Sequence, residues 1–237
     1  MARRKPEIMT CADVLALFDD LRSDQIATVM SRRNPQAYIL GVRFGDLDRI
    51  CKRIQRDSEL ARELWASGSF EARTVAVRIM DPTDLDASTI DAWVVQIDFP
   101  TLADEFANLV YRTASAANST RMHRWTASDA EFVQRVGFAL VMALASDATN
   151  AEPDASFLAY LEQIERDIHT SPNWARELKN QVPVAIGARN DRLFAAARRT
   201  AVAYGKVEVF HGDRTRCRVI DAVEALDRRR KQAAISV

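Results

Sequence analysis

Apolar residues recur at intervals of three and four along nearly the whole chain. Val14, Leu17, Phe18 and Leu21 fall at i, i+3, i+4 and i+7. The spacing returns at Leu47, Ile50, Cys51 and Ile54, and again at Phe132, Val136, Ala139 and Leu140. It continues through Phe157, Leu158, Leu161, Ile164 and Ile168, and closes at Val219, Ile220, Val223 and Leu226. Such a stripe lies on one face of a helix and would be scattered over both faces of a strand. Breaks at Asn34-Pro35, Asp81-Pro82, Phe99-Pro100, Asn150 to Pro153 and Ser171-Pro172 cut the pattern into helices of roughly 10 to 20 residues. Ser69, Asp84 or Asp86, Ser128 and Asp154 are of the type that marks helix starts. Pro183 predicts a kink or a late helix start. Only Lys206 to Phe210 reads as a strand, and it reads equally well as an extended connector. The expectation is more than roughly 60% helix.

Composition narrows the rest. Glycine occurs only 7 times, which disfavours tight hairpins and Gly-rich phosphate loops. The 237 residues, 48% of them hydrophobic, can bury a sizeable core. One domain is expected over 1–237, with 1–10 and 228–237 as flexible ends. Phe70 to Val77 and Phe132 to Ala139 each place an Arg three residues after an aromatic, before small and branched apolar residues. That points to stacked helix pairs burying a continuous core.

The 33 basic and 33 acidic residues cancel, so nucleic-acid binding needs a local basic face rather than a basic chain. Residues 189–237 do carry 12 basic against 6 acidic residues. Arg214, Arg216 and Arg218, then Arg228 to Lys231, form either a solvated tail or a phosphate-contacting edge. Cys11, Cys51 and Cys217 form no CxxC and lie near no His at ligand spacing, so neither a disulfide scaffold nor a metal site is expected. His123, His169 and His211 have no Ser or Cys partner at a recognisable spacing. With no long apolar run and no signal core after the basic start, a soluble cytoplasmic protein is expected.

Several segments in order resemble the DNA alkylation repair enzyme family, the alkylpurine DNA glycosylases built of HEAT-like helical repeats. Gly41-Val42-Arg43 with Leu47 and Ile50 resembles its early GV helix. Glu63 to Ser67 with Phe70-Glu71-Ala72-Arg73 and Ala76 is similar to its LW.S..(F/Y)E.R..A segment. Trp93 with Ile97 to Asp104 resembles a VDNWDLVD-type segment, and Trp125 to Ser128 with Phe132 and Arg135 a W..S...W.RR.A segment. Val184 to Asn190 and Gly205 to Gly212 are similar to the C-terminal part of a bacterial branch. The likeness spans roughly 35–225. The chain departs from it at Phe99 (family Asn), Pro100 (family Trp) and Gln134 (the first Arg of the pair), and at Asp213 to Arg218.

The resemblance implies an all-α, right-handed superhelix of stacked antiparallel helix pairs. It implies hydrolytic removal of cationic N3- or N7-alkylated purines from duplex DNA, without metal or organic cofactor; a monomer is expected. Asp104 matches the catalytic aspartate. A carboxylate suits the role, because cleaving the glycosidic bond of a cationic base builds oxocarbenium character on the sugar. The alternative is an ordinary helix Asp or a partner of Arg135. Arg135 matches the phosphate-binding Arg of the pair. Trp125, between polar neighbours, and Trp174, before Arg176, are candidates for a DNA-facing surface, with core packing as the alternative for each. Trp65 and Trp93 read as core. Arg189 and Lys206 fall in the resembling C-terminal segments as further DNA-binding candidates. The departures at Pro100 and Gln134 favour a second reading, a non-catalytic HEAT-like module that binds unusual DNA structures or a protein partner.

Overall fold

A computed structural model describes residues 7–212 and 218–235. Helix makes up 69% of the described residues, and no strand occurs among them. The chain divides into two compact units, Met1–Thr113 and Ala114–Val237. The first holds α1 (Cys11–Leu21), α2 (Asp24–Ser31), α3 (Phe44–Ile54), α4 (Ser58–Ser67), α5 (Phe70–Ile79), α6 (Ala87–Val94) and α7 (Pro100–Arg112). The second holds α8 (Ala117–Thr126), α9 (Glu131–Ser146), α10 (Asp154–Asp167), α11 (Asn173–Lys179), α12 (Val182–Gly187), α13 (Asp191–Tyr204) and α14 (Ala222–Ile235).

The predicted breaks fall at helix boundaries for chemical reasons. Pro100 occupies the first turn of α7, where its missing N–H is not needed. Ser69 accepts from the Ala72 amide to cap α5, and Asp86 from the Thr89 amide to cap α6. Ser128 is a miss: its hydroxyl accepts from Ala130, and α9 begins only at Glu131. Pro183 lies in the first turn of α12, so the late helix start is the outcome. Being unable to continue a helix, it leaves α11 and α12 at 7 and 6 residues, shorter than the sequence pattern suggests. Residues 7–10 and 228–235, expected within loose ends, are tied in. The Glu7 amide donates to Arg53, Thr10 caps α1, and 228–235 continue α14.

In the first unit α5 packs against α3, α4 and α7, with Leu47, Leu64, Phe70, Leu102 and Phe106 buried between them. Trp65 and Trp93 stack face to face at 4.2 Å inside this core, as expected. The α4–α5 corner turns at Gly68, whose φ is +86°. One buried charge anchors the entry to the unit. Glu71, fully buried on α5, accepts from the Leu40, Gly41 and Val42 amides at 2.9, 2.7 and 3.3 Å. These bonds replace the water that the carboxylate loses on burial. Gly41 makes the arrangement possible. Its φ is +84°, and a Cβ there would lie 2.2 Å from the Ser23 carbonyl oxygen, a position open only to glycine.

In the second unit α9 contacts α8, α11 and α12, and α13 contacts α10, α12 and α14. Gly137 sets the α8–α9 approach, since a Cβ there would meet the Thr126 amide nitrogen at 2.6 Å. Lys179 is fully buried under the Phe138 ring, and its Nζ donates to Asp167 and Ser171 at 2.7 and 2.6 Å. Burial pulls its pKa down, against the pairing with Asp167. The strand-like run at 206–210 is an extended connector. Asn173 clasps its backbone, donating to the Phe210 carbonyl at 2.8 Å and accepting from the Phe210 amide at 2.7 Å. Arg176 donates to the Glu208 carbonyl.

Two outcomes are expected. Glu71→Gln sets an NH2 group against at least the Leu40 amide, donor against donor, and should lower stability by about 2–3 kcal/mol in chemical denaturation. Hydrogen bonds from Ser88 and Thr89 hold Asp86 at a pKa of about 2. A depressed folded-state pKa gives stability that is present above the ordinary carboxylate range and lost as pH falls through the folded value. Melting temperature should therefore drop between about pH 4 and 2, and drop less in Asp86→Asn, which keeps an N-cap but does not titrate.

Candidate functional site

The first candidate region is the entry to α7. Arg73 lies over the Trp65 ring at 5.3 Å, donates to the Gln96 carbonyl at 2.7 Å, and sits 3.7 Å from the Asp98 carboxylate. Asn34 donates its side-chain N–H to the Asp98 carbonyl. Burial pushes the Asp98 carboxyl up, and Arg73 opposes the shift. Phe99 follows in an extended conformation, 1% exposed, with its ring 4.5 Å from Phe70. Arg73 Nε, Asp98 Oδ1 and Thr101 Oγ1 are buried without a hydrogen-bond partner. Asp104 stands one turn into α7, half-buried, on the helix face it shares with Pro100 and Thr101. The adjacent Glu105 is bound by Arg78 at 2.6–2.7 Å, and Arg78 also holds Asp48.

The second region lies between α9 and α11. Arg135 is 3% exposed, and its Nη1 donates to the Trp174 carbonyl at 2.6 Å and to Glu177 at 2.8 Å. The other Glu177 oxygen is 2.8 Å from His211 Nε2, and the His211 ring meets the Trp174 indole edge-on. Glu131 accepts from the Trp174 amide. Arg135 is thus an interior strut, which corrects its expected place on a phosphate-facing surface.

Both candidate tryptophans are corrected as well. Trp125 is 2% and Trp174 5% exposed. The close approach of α8 to α9 at Gly137 buries the first, and the α9–α11 network buries the second. Arg189 is corrected to a helix terminator. Its guanidinium donates to the Leu144, Ala145, Asp147 and Asn150 carbonyls at 2.9–3.2 Å, and lies over Phe157 at 4.6 Å. Leu144 and Ala145 belong to the last turn of α9, whose carbonyls have no i+4 amide within the helix, and Asp147 and Asn150 to the turn that follows it. Lys206 is exposed, 3.5 Å from Glu208. Gln134 turns inward, donating to the Thr126 and Ser128 carbonyls. In the basic C-terminal segment Arg228, Arg229 and Lys231 are exposed on α14, while Arg230 pairs with Asp191. Arg214, Arg216 and Cys217 lie outside the described residues.

Among the described residues no group of three or more His, Cys, Asp or Glu is placed to hold a metal ion. None of the helices there is long and apolar enough to cross a membrane.

The pattern of DNA alkylation repair enzymes matches residues 14–202. The chain belongs to this family. A solved structure supports the fold assignment. It comes from a family of proteins related to the HEAT-like repeat DNA glycosylases with affinity for branched DNA structures, is 24% identical, and covers 95% of each chain at a TM-score of 0.81. No curated protein matches the chain. The fold is therefore the all-α HEAT-like repeat fold of the DNA glycosylase relatives.

Sequence reasoning missed Glu71, Glu131 and Glu177 as organisers. Glu71 had a signal, since it is the Glu of the family-like F-E-x-R segment. Glu177 had none, because its partners are 42 and 34 residues away.

Arg135→Ala should lower stability by about 2–4 kcal/mol, because it empties a buried position and takes a shared donor from the Trp174 carbonyl and from half-buried Glu177, which keeps the His211 contact. Arg189→Ala should cost about 2–3 kcal/mol. Lys206→Ala should leave the unfolding midpoint unchanged. Urea titrations of the three variants check this ranking.

Proposed function

We propose that this protein binds DNA through the sugar–phosphate backbone and selects it by structure rather than by excising a base. One observation carries the reading. The groups that the sequence would place against DNA, by family resemblance or by polar setting, are either replaced, at Pro100 and Gln134, or built into the interior, at Trp125, Trp174 and Arg135. What stays on the surface includes cations such as Lys206, Arg228, Arg229 and Lys231. Such groups can neutralise phosphates and fix position on the backbone, and contacts of that kind carry no sequence information. The affinity for branched DNA in the family of the similar solved structure agrees with this reading.

A second reading keeps the glycosylase chemistry, and the half-buried carboxylate of Asp104 favours it. In this mechanism a cationic N3- or N7-alkylpurine departs with the glycosidic electron pair. The carboxylate stabilises the oxocarbenium-like sugar, and water attacks C1′ and loses a proton. With Pro100 in place of the family's Trp, no indole ring at that position would pack against the deoxyribose.

The test compares a four-way junction with a duplex of the same sequence, and scores methylpurine release from alkylated duplex DNA. The expected result is tighter, salt-sensitive binding to the junction and base release at background for both wild type and Asp104→Asn. Release by wild type that falls on the order of ten- to a thousandfold in Asp104→Asn would establish the second reading instead. Absence of DNA binding at low salt would overturn both and leave a protein-interaction scaffold.

A further inference from the structure

A cavity of about 320 Å³ opens in the first unit, between α2 and the start of α3. That is the small end of ligand-pocket sizes, enough for one flat ring system. Phe99 forms part of its lining and is 1% exposed, at a position where the family-like segment has Asn. Phe44 and Val29 also border it, yet keep 41% and 52% exposure. Apolar groups held open to water around a concavity mark a contact surface. The lining also contains Arg33 and Arg43 and no carboxylate. The Glu71 carboxylate, close in the fold, is turned onto the 40–42 amides.

Phe44 is preset. Its ring meets Phe70 edge-on at 6.0 Å and carries the Arg78 guanidinium at 5.9 Å. Arg78 is itself fixed by Glu105 and Asp48. The ring therefore needs little ordering when a partner arrives.

We propose that this cavity takes a single unpaired nucleotide of a DNA strand, the base against Phe44 and the flanking phosphate on Arg43. The inference rests on the DNA-binding reading above and supplies a source for its structural selectivity. An aromatic face beside a guanidinium is the pairing that holds single-stranded nucleotides without reading their sequence. A base stacked in a continuous duplex cannot enter a cavity of this kind, whereas one at a bulge or branch point is already out of the stack.

The experiment uses the full chain and a duplex carrying 2-aminopurine as a one-nucleotide bulge, with the unbulged duplex as control. Wild type should bind the bulge more tightly than the control and quench the probe. Phe44→Leu keeps apolar volume without a π face; it should abolish the quench and weaken bulge binding roughly tenfold, leaving control binding unchanged. Arg43→Gln, at a residue whose side chain caps nothing in α3, should weaken bulge binding and reduce the salt slope by about one phosphate. Thermal melts verify that the variants are folded. Bulge binding without quenching, or unaltered by both variants, overturns the cavity assignment while the DNA-binding reading stands. No binding to any DNA overturns both.

Discussion

The fully buried carboxylate of Glu71 is the constraint on which the first unit is assembled. A charge taken out of water must be given donors, and here three consecutive amides of 40–42 supply them. Three amides can converge on one carboxylate only where the backbone bends sharply, which calls for Gly41. That glycine also lets the chain pass against the Ser23 carbonyl at the start of α2. The start of α3, the seat of Phe44 and the edge of the cavity beside it all follow from one carboxylate on α5. The family-like GV and F-E-x-R segments are two halves of this single contact.

The second unit uses the same device with a different partner. Glu177 receives Arg135 from α9 and His211 from the connector. Arg73 and Arg135 stand at equivalent places in the two similar helical segments, and each reaches into the polypeptide that follows. Arg73 reaches Gln96 and Asp98, and Arg135 reaches Trp174 and Glu177. The recurrence noted in sequence thus corresponds to a repeated structural role.

What the sequence made legible was local. Period and proline placed the helices, and Ser69 and Asp86 declared their caps. Trp65 and Trp93 could be assigned to the core because their own helices carry apolar neighbours. Trp125 could not, since His123 and Arg124 beside it suggest exposure, while the group that buries it arrives from α9 through Gly137. Arg189 reads as a surface cation because the carbonyls it serves lie 39 to 45 residues earlier. Of the candidate site, Lys206 is exposed and Asp104 half-buried, whereas the residues that a distant partner claims are drawn into the interior.

The clasp of Asn173 on the 205–212 connector has a consequence for how this segment can evolve. Asn173 and Arg176 grip main-chain carbonyls and an amide, groups that every residue except proline presents alike. The exposed residues Lys206, Glu208 and Phe210 can drift in side-chain character, but inserting or deleting one would shift every gripped group out of register. Length, more than identity, is the heritable property of this strap, apart from the positive-φ glycines Gly205 and Gly212, buried Val207 and the His211 contact that closes it.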